Sequence, residues 1–323
     1  MRGVATHYLT VRRSSGEMEL DVTQLFAQPT VPTRSASAAD RLLADWKSLL
    51  SGVSIELLPE QALAFAPAQD AFPQGSFVFL PHIAGKPLGP RVDAAKHLIA
   101  KGFKPVVHLS ARNFTSILEF EGHVRDLDQA GVKCCLAIGG VPSFTPNAVL
   151  QSTAEMIRHP AFKSAAFETV FIAGHPEGIA GVEEAQLRNA LQDKISELRE
   201  QRRSIEIVTQ FAFDGAAMAR WANDLRRIGV IEPIRFGLAG VTSLPKLVKF
   251  AVLCGVGASL SVLKRQAGSV LKVMRDQDPK DVIEALYRDL DPTVASSIHL
   301  HFFPFGGWEK TTTWISSRQS IAR

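Results

Sequence analysis

From residue 53 onward, short apolar and β-branched runs alternate with stretches whose apolar residues recur every three to four positions. The short runs fall at 53–58, 77–80, 105–109, 134–138, 169–173, 205–209, 234–238 and 298–303, eight in all. Several are nearly continuous apolar stretches, the pattern of parallel strands buried on both faces. Helical spacing fills the intervals at 91–101, 114–130, 146–158, 182–203 and 216–229, and the interval 244–287 holds more than one helix. A further helix is predicted at 39–50, with apolar residues at Leu42, Leu43, Trp46, Leu49 and Leu50. Eight strands alternating with helices predict an α/β chain folded as a single (β/α)8 TIM-type barrel. The rival is a doubly wound sheet, which normally carries a glycine-rich phosphate loop after its first strand. Here Pro59-Glu60-Gln61 follows that strand, and no GxGxxG or P-loop motif occurs.

Residues 1–38 break the pattern. They include the Pro-, Ser- and Thr-rich segment QPTVPTRSASAA and read as an N-terminal extension ahead of a barrel domain at 39–323. Charged residues make up 21% of the chain and hydrophobic ones 46%, which excludes wholesale disorder. A net charge of +4 over 323 residues is too weak to point to nucleic acid. The longest uncharged apolar stretch, 250–263, has fourteen residues. A membrane span needs roughly 20, so no membrane partner is expected. The first residues carry charge without an apolar segment, so no signal peptide is expected either. Three cysteines without a CxxC spacing, Cys134, Cys135 and Cys254, argue against a disulfide framework or a zinc site. They point to a reducing, cytoplasmic setting.

In a barrel, chemistry sits where strands end. Glu56 lies between Ile55 and Leu57, a costly place for a carboxylate. It is either a desolvated general acid or a structural carboxylate paired with a backbone N–H or an Arg. His108 ends the third strand, as a ligand contact or a helix cap. His175 sits in the turn AGHPEG beside Glu177. Gln210 ends an otherwise apolar strand, where a buried amide needs either a ligand or neighbouring backbone as partner. His299 and His301 point the same way on a strand, but no carboxylate or cysteine adjoins them, so no metal is expected. The aromatic tail 302–308 reads as packing.

The segments VSIELLPE (53–60), PVVHLSARN (105–113), AGHPEG (173–178), VTQFAFD (208–214) and SIHLHFFPF (297–305) occur in an order and spacing that resemble methylenetetrahydrofolate reductase. The resemblance covers roughly 50–305, and the pairing of AGHPEG with VTQFAFD is its most specific part. It implies a barrel that binds FAD, NADH or NADPH, and a tetrahydrofolate derivative at its C-terminal mouth. The reaction it implies is reduction of 5,10-methylenetetrahydrofolate to 5-methyltetrahydrofolate. Glu56 would be the acid that protonates N10. His108, Gly140, Ala173, His175 and Lys194 would line the flavin, and Gln210, Leu244 and His301 the substrate.

The sequence also departs from the family. Ile138-Gly139-Gly140 stands where an Arg-Gly-Asp segment is usual, Asp193 where a second basic residue is usual, and Leu244 where an aromatic is usual. These departures leave two alternatives beside the flavin route. One is direct hydride transfer from NAD(P)H. The other is a different folate C1-handling or folate-binding barrel.

Overall fold

The computed structural model describes residues 45–140, 148–179, 181–253 and 276–320. The extension at 1–38, the first half of the helix expected at 39–50, and Cys254 lie outside the described residues.

Eight parallel strands close into a barrel. They are β1 (Ser54–Glu56), β2 (Phe77–Leu80), β3 (Lys104–Ser110), β4 (Cys134–Ile138), β5 (Thr169–Gly174), β6 (Ser204–Phe211), β7 (Ile234–Ala239) and β8 (Ile298–Phe303). Each pairs with its neighbour in sequence, and β8 closes on β1. All eight coincide with the runs expected from hydropathy. The chain is therefore a (β/α)8 barrel.

The main helices are α1 (Gly89–Ala100), α2 (Ile117–Gln129), α3 (Thr153–Arg158), α4 (Glu184–Glu200), α5 (Gly215–Arg227), α6 (Leu244–Leu253), α7 (Lys280–Asp289) and α8 (Trp308–Gln319). Two start later than their apolar spacing suggests, and capping explains both. The Ser116 hydroxyl accepts the Glu119 N–H at 3.1 Å, and Glu119 in turn accepts the Thr115 N–H at 2.8 Å. Ser152, Glu155 and Gln151 repeat the arrangement at α3. Such caps stabilise a helix start by about 1 kcal/mol. Short helices at Trp46–Leu49, Pro59–Leu63, Pro160–Ser164 and Pro292–Ala295 are too brief to show periodicity. The stretch 244–287 holds α6, the start of α7, and a strand that pairs Thr242–Ser243 with Asp276–Gln277. No described helix is long and apolar enough to cross a membrane.

Side-chain alternation splits the core in two. Ile55, Leu57, Val78, Leu80, Val107 and Leu109 face the helices. Phe79, Val106, Cys134, Leu136, Phe171 and Val208 fill the barrel. At its floor, Arg235 Nε donates to Glu206 Oε2 at 2.6 Å, Arg235 Nη1 donates to the Gly52 carbonyl at 2.7 Å, and the guanidinium lies 4.8 Å from the Phe77 ring. Cys134 and Cys135 are buried free thiols, and burial pushes Cys134 up to about 11.

Candidate active site at the barrel mouth

Glu56 ends β1. Its neighbours Ile55 and Leu57 fill the outer core, so Glu56 faces the interior. It pairs with Phe79 of β2, and the register Ser54↔His301, Ile55↔Phe302 sets Phe303 beside it on β8. Its Oε2 lies 3.5 Å from His108 Nε2, and the two side chains are 23% and 8% exposed. Burial pushes the carboxyl up from 4.5 to about 8. Burial, helped by Arg91, pushes His108 down to about 3. Near neutral pH the contact is thus between two largely uncharged groups. His108 Nε2 is buried without a hydrogen-bond partner among the described residues. Such an atom costs about 1–3 kcal/mol unless a ligand supplies the bond.

Arg91 of α1 positions this pair from behind. It is 3% exposed. Its Nη1 donates to the His108 carbonyl at 2.8 Å, and its Nη2 lies 3.1 Å from His123 Nε2 on α2. No carboxylate among the described residues faces it, and burial lowers it to about 9. Desolvation, then Arg91, keeps His123 neutral, at about 3. His82, after β2, accepts the Ser110 N–H on Nδ1 at 3.3 Å, and its own carbonyl accepts from Asn113 Nδ2 at 2.8 Å. Sequence spacing hides this cluster, because its members come from a helix, a loop and a strand end. The one visible signal is a lone arginine inside the apolar stripe of α1.

The opposite wall corrects two expectations. Gln210 is exposed, not buried: β6 shifts register between Val208 and Phe211, and the Gln210 Oε1 accepts the Phe211 N–H at 3.2 Å. The backbone here crowds Gly237, where an added Cβ would lie 2.6 Å from the Thr209 carbonyl oxygen. His301, expected against the substrate, is 1% exposed. Its Nδ1 is 2.9 Å from the Ser54 hydroxyl, and its ring packs 4.4 Å from Phe79, one layer below Glu56. Burial holds it well below the usual imidazole range. Leu244 is buried in a cluster with Phe211, Phe213, Leu247 and Phe303, and contributes apolar packing there.

On the β4–β5 side, Gly140 has φ +75°, and its carbonyl accepts from Arg112 Nη1 at 2.7 Å. A side chain there would meet Asn113 Oδ1 at 3.2 Å, so this position offers backbone alone. Ala173, half-buried, is the last residue but one of β5, and the Gly178 N–H closes the next turn onto the His175 carbonyl at 3.1 Å. Burial, then Lys194, pushes His175 down to about 4. Lys194 on α4 is half-buried, lowered by that burial, and has no acidic partner among the described residues. A cleft of about 550 Å³ opens between α4 and α5, lined by His175, Arg188, Arg220 and Trp221. It lies outside the barrel and does not include Glu56.

Two comparisons bear on this geometry. The solved structure of an uncharacterized protein from Clostridium thermocellum, which binds two copies of 5-methyl-5,6,7,8-tetrahydrofolic acid, superposes with a TM-score of 0.55. It is 11% identical over 86% of this chain and 99% of that one, a likeness of fold. The methylenetetrahydrofolate reductase family model matches residues 92–299, which takes in His108, Gly140, His175, Lys194 and Gln210 but starts beyond Glu56. That match spans well over half of the chain, and the protein belongs to the methylenetetrahydrofolate reductase family.

Proposed function

We propose that this protein reduces 5,10-methylenetetrahydrofolate to 5-methyltetrahydrofolate with NADH or NADPH, and that Glu56 is the general acid. The observation that carries this reading is the close Glu56–His108 pair, 3.5 Å apart at the mouth of the barrel. A carboxyl that stays protonated to about pH 8 has a proton to give at neutral pH. Delivered to N10, that proton breaks the bond between N10 and the bridging carbon. The carbon becomes an iminium that accepts hydride. The reduced folate named for the structural neighbour agrees with a folate ligand.

The family implies FAD, and the residues present fit it. His108 offers a buried nitrogen without a partner, and Lys194 offers a half-buried cation without an acid, beside the neutral His175. His108 would hold the ring side, and His175 with Lys194 the diphosphate. FAD, when bound, would supply the hydride relay from NAD(P)H to the folate. A second reading, direct transfer from NAD(P)H, draws on Gly140, which brings no side chain to the mouth.

The test is oxidation of NADH and of NADPH on adding 5,10-methylenetetrahydrofolate, with and without FAD. Folate-dependent oxidation is expected, and the FAD arm separates the two hydride routes. Glu56→Gln should slow it by at least about 100-fold, and the wild-type rate should fall as pH rises through about 8. Wild-type protein that oxidises neither cofactor, or a Gln variant within a few-fold of wild type, would overturn the assignment.

A further inference from the structure

Four rings form a cup around Glu56. Phe79 of β2 stands level with the acid, and its ring lies 5.9 Å from that of His108 on β3. On the other side of β1, Phe303 of β8 stands at the same level, and its ring meets His301 edge-on at 4.8 Å. His301 closes the cup from below. It leaves β8 at the level of Ser54, its Nδ1 lies 2.9 Å from the Ser54 hydroxyl, and its ring reaches Phe79 at 4.4 Å. The strands β8 and β2 flank β1 on opposite sides, two inter-strand spacings or roughly 9.6 Å apart. A side chain of one that touches a side chain of the other crosses the inner face of β1, here at Ser54, beneath Glu56. His301 is 1% exposed, which shuts it off from anything bound at the mouth.

The titratable groups around the acid are His108 and His301, with His82 and Arg91 on the far side of His108. Below His301, Arg235 of β7 is tied to Glu206. Burial keeps His82, His108 and His301 neutral. The surroundings of Glu56 are therefore rings without charge, and its proton affinity depends on how well they exclude water. We propose that His301 is a positioning residue for the acid: held against Ser54, its ring floors the cup and shuts water out from beneath Glu56, so that the acid keeps its proton at neutral pH. This rests on the acid role given to Glu56 above.

Removing the ring would leave a void bordered by the Ser54 hydroxyl and the carboxyl, polar enough to admit water. His301→Ala should move the alkaline limb of the folate-dependent rate down by at least about one pH unit from its wild-type place near 8, and His301→Phe, which refills the ring volume, should hold it there. Phe79→Leu, which thins the cup from the β2 side, should move the limb the same way by less. A second readout needs no substrate. The gain in urea midpoint that Glu56→Gln brings at about pH 7.5 should fall by roughly half or more in the His301→Ala background and persist in His301→Phe. A limb or a urea gain unmoved by Ala (or by Phe79→Leu, should the Ala variant not fold), or moved as far by Phe as by Ala, would overturn the role of His301. Wild type without folate-dependent oxidation would overturn the folate reading, and the urea measurement would still decide the cup.

Discussion

Replacing Glu56 by Gln should make the protein more stable, by an amount set by pH. In the unfolded chain this carboxyl titrates near its ordinary 4.5, and in the folded barrel near 8. Between those values the unfolded state has released a proton that the native state keeps. Unfolding is therefore favoured by rising pH, by about 1.4 kcal/mol per unit. Gln does not titrate and escapes this penalty. The advantage of the variant should be near zero at about pH 4.5, roughly 3 kcal/mol at pH 7, and at most about 5 kcal/mol above pH 8. An unfolding entropy of about 2 cal/mol/K per residue makes the neutral-pH gain roughly 5 °C in Tm for a chain of this length. Urea melts followed by circular dichroism, at about pH 5 and about pH 7.5, read the difference. Other titrating groups are shared by both proteins and largely cancel. A Gln variant no more stable than wild type at the higher pH, or an advantage equal at both, would refute the argument that desolvation raises Glu56.

Two further substitutions probe the frame around the site. Gly237→Ala should cost about 2–3 kcal/mol in urea melts and impair folate-dependent turnover, because the new Cβ would meet backbone atoms of Thr209 and Gln210 at 2.6–2.7 Å. Glu206→Ala should cost about 3–5 kcal/mol by the same measurement, since it strands the buried Arg235, while Glu206→Gln, which can still accept a hydrogen bond, should cost less.

Strands buried on both faces announce themselves as apolar runs, so the barrel was legible from residues alone. Glu56 was legible for the same reason: a carboxylate between Ile55 and Leu57 stands out against its surroundings. The misreadings have local causes. Gln210 looked buried because its strand is apolar, but the register shift after Val208 turns it to solvent. His301 sits in the right strand and one layer too low, a difference of depth that side-chain alternation does not encode. Arg91 gives no signal in the sequence because its partners His108 and His123 lie 17 and 32 residues away, on separate elements. The tail after β8, expected to pack, does so through one turn, Phe305 onto Phe303 across Pro304.

The floor of the barrel has a kinetic meaning. Arg235 and Glu206 lock together beneath Phe77 and Phe171, with the guanidinium tied to Gly52. Among the described residues this end of the barrel is therefore closed. Whatever binds at Glu56 then enters and leaves by the C-terminal mouth. Under the proposed function, crowding at that doorway would limit turnover alongside the proton transfer behind it.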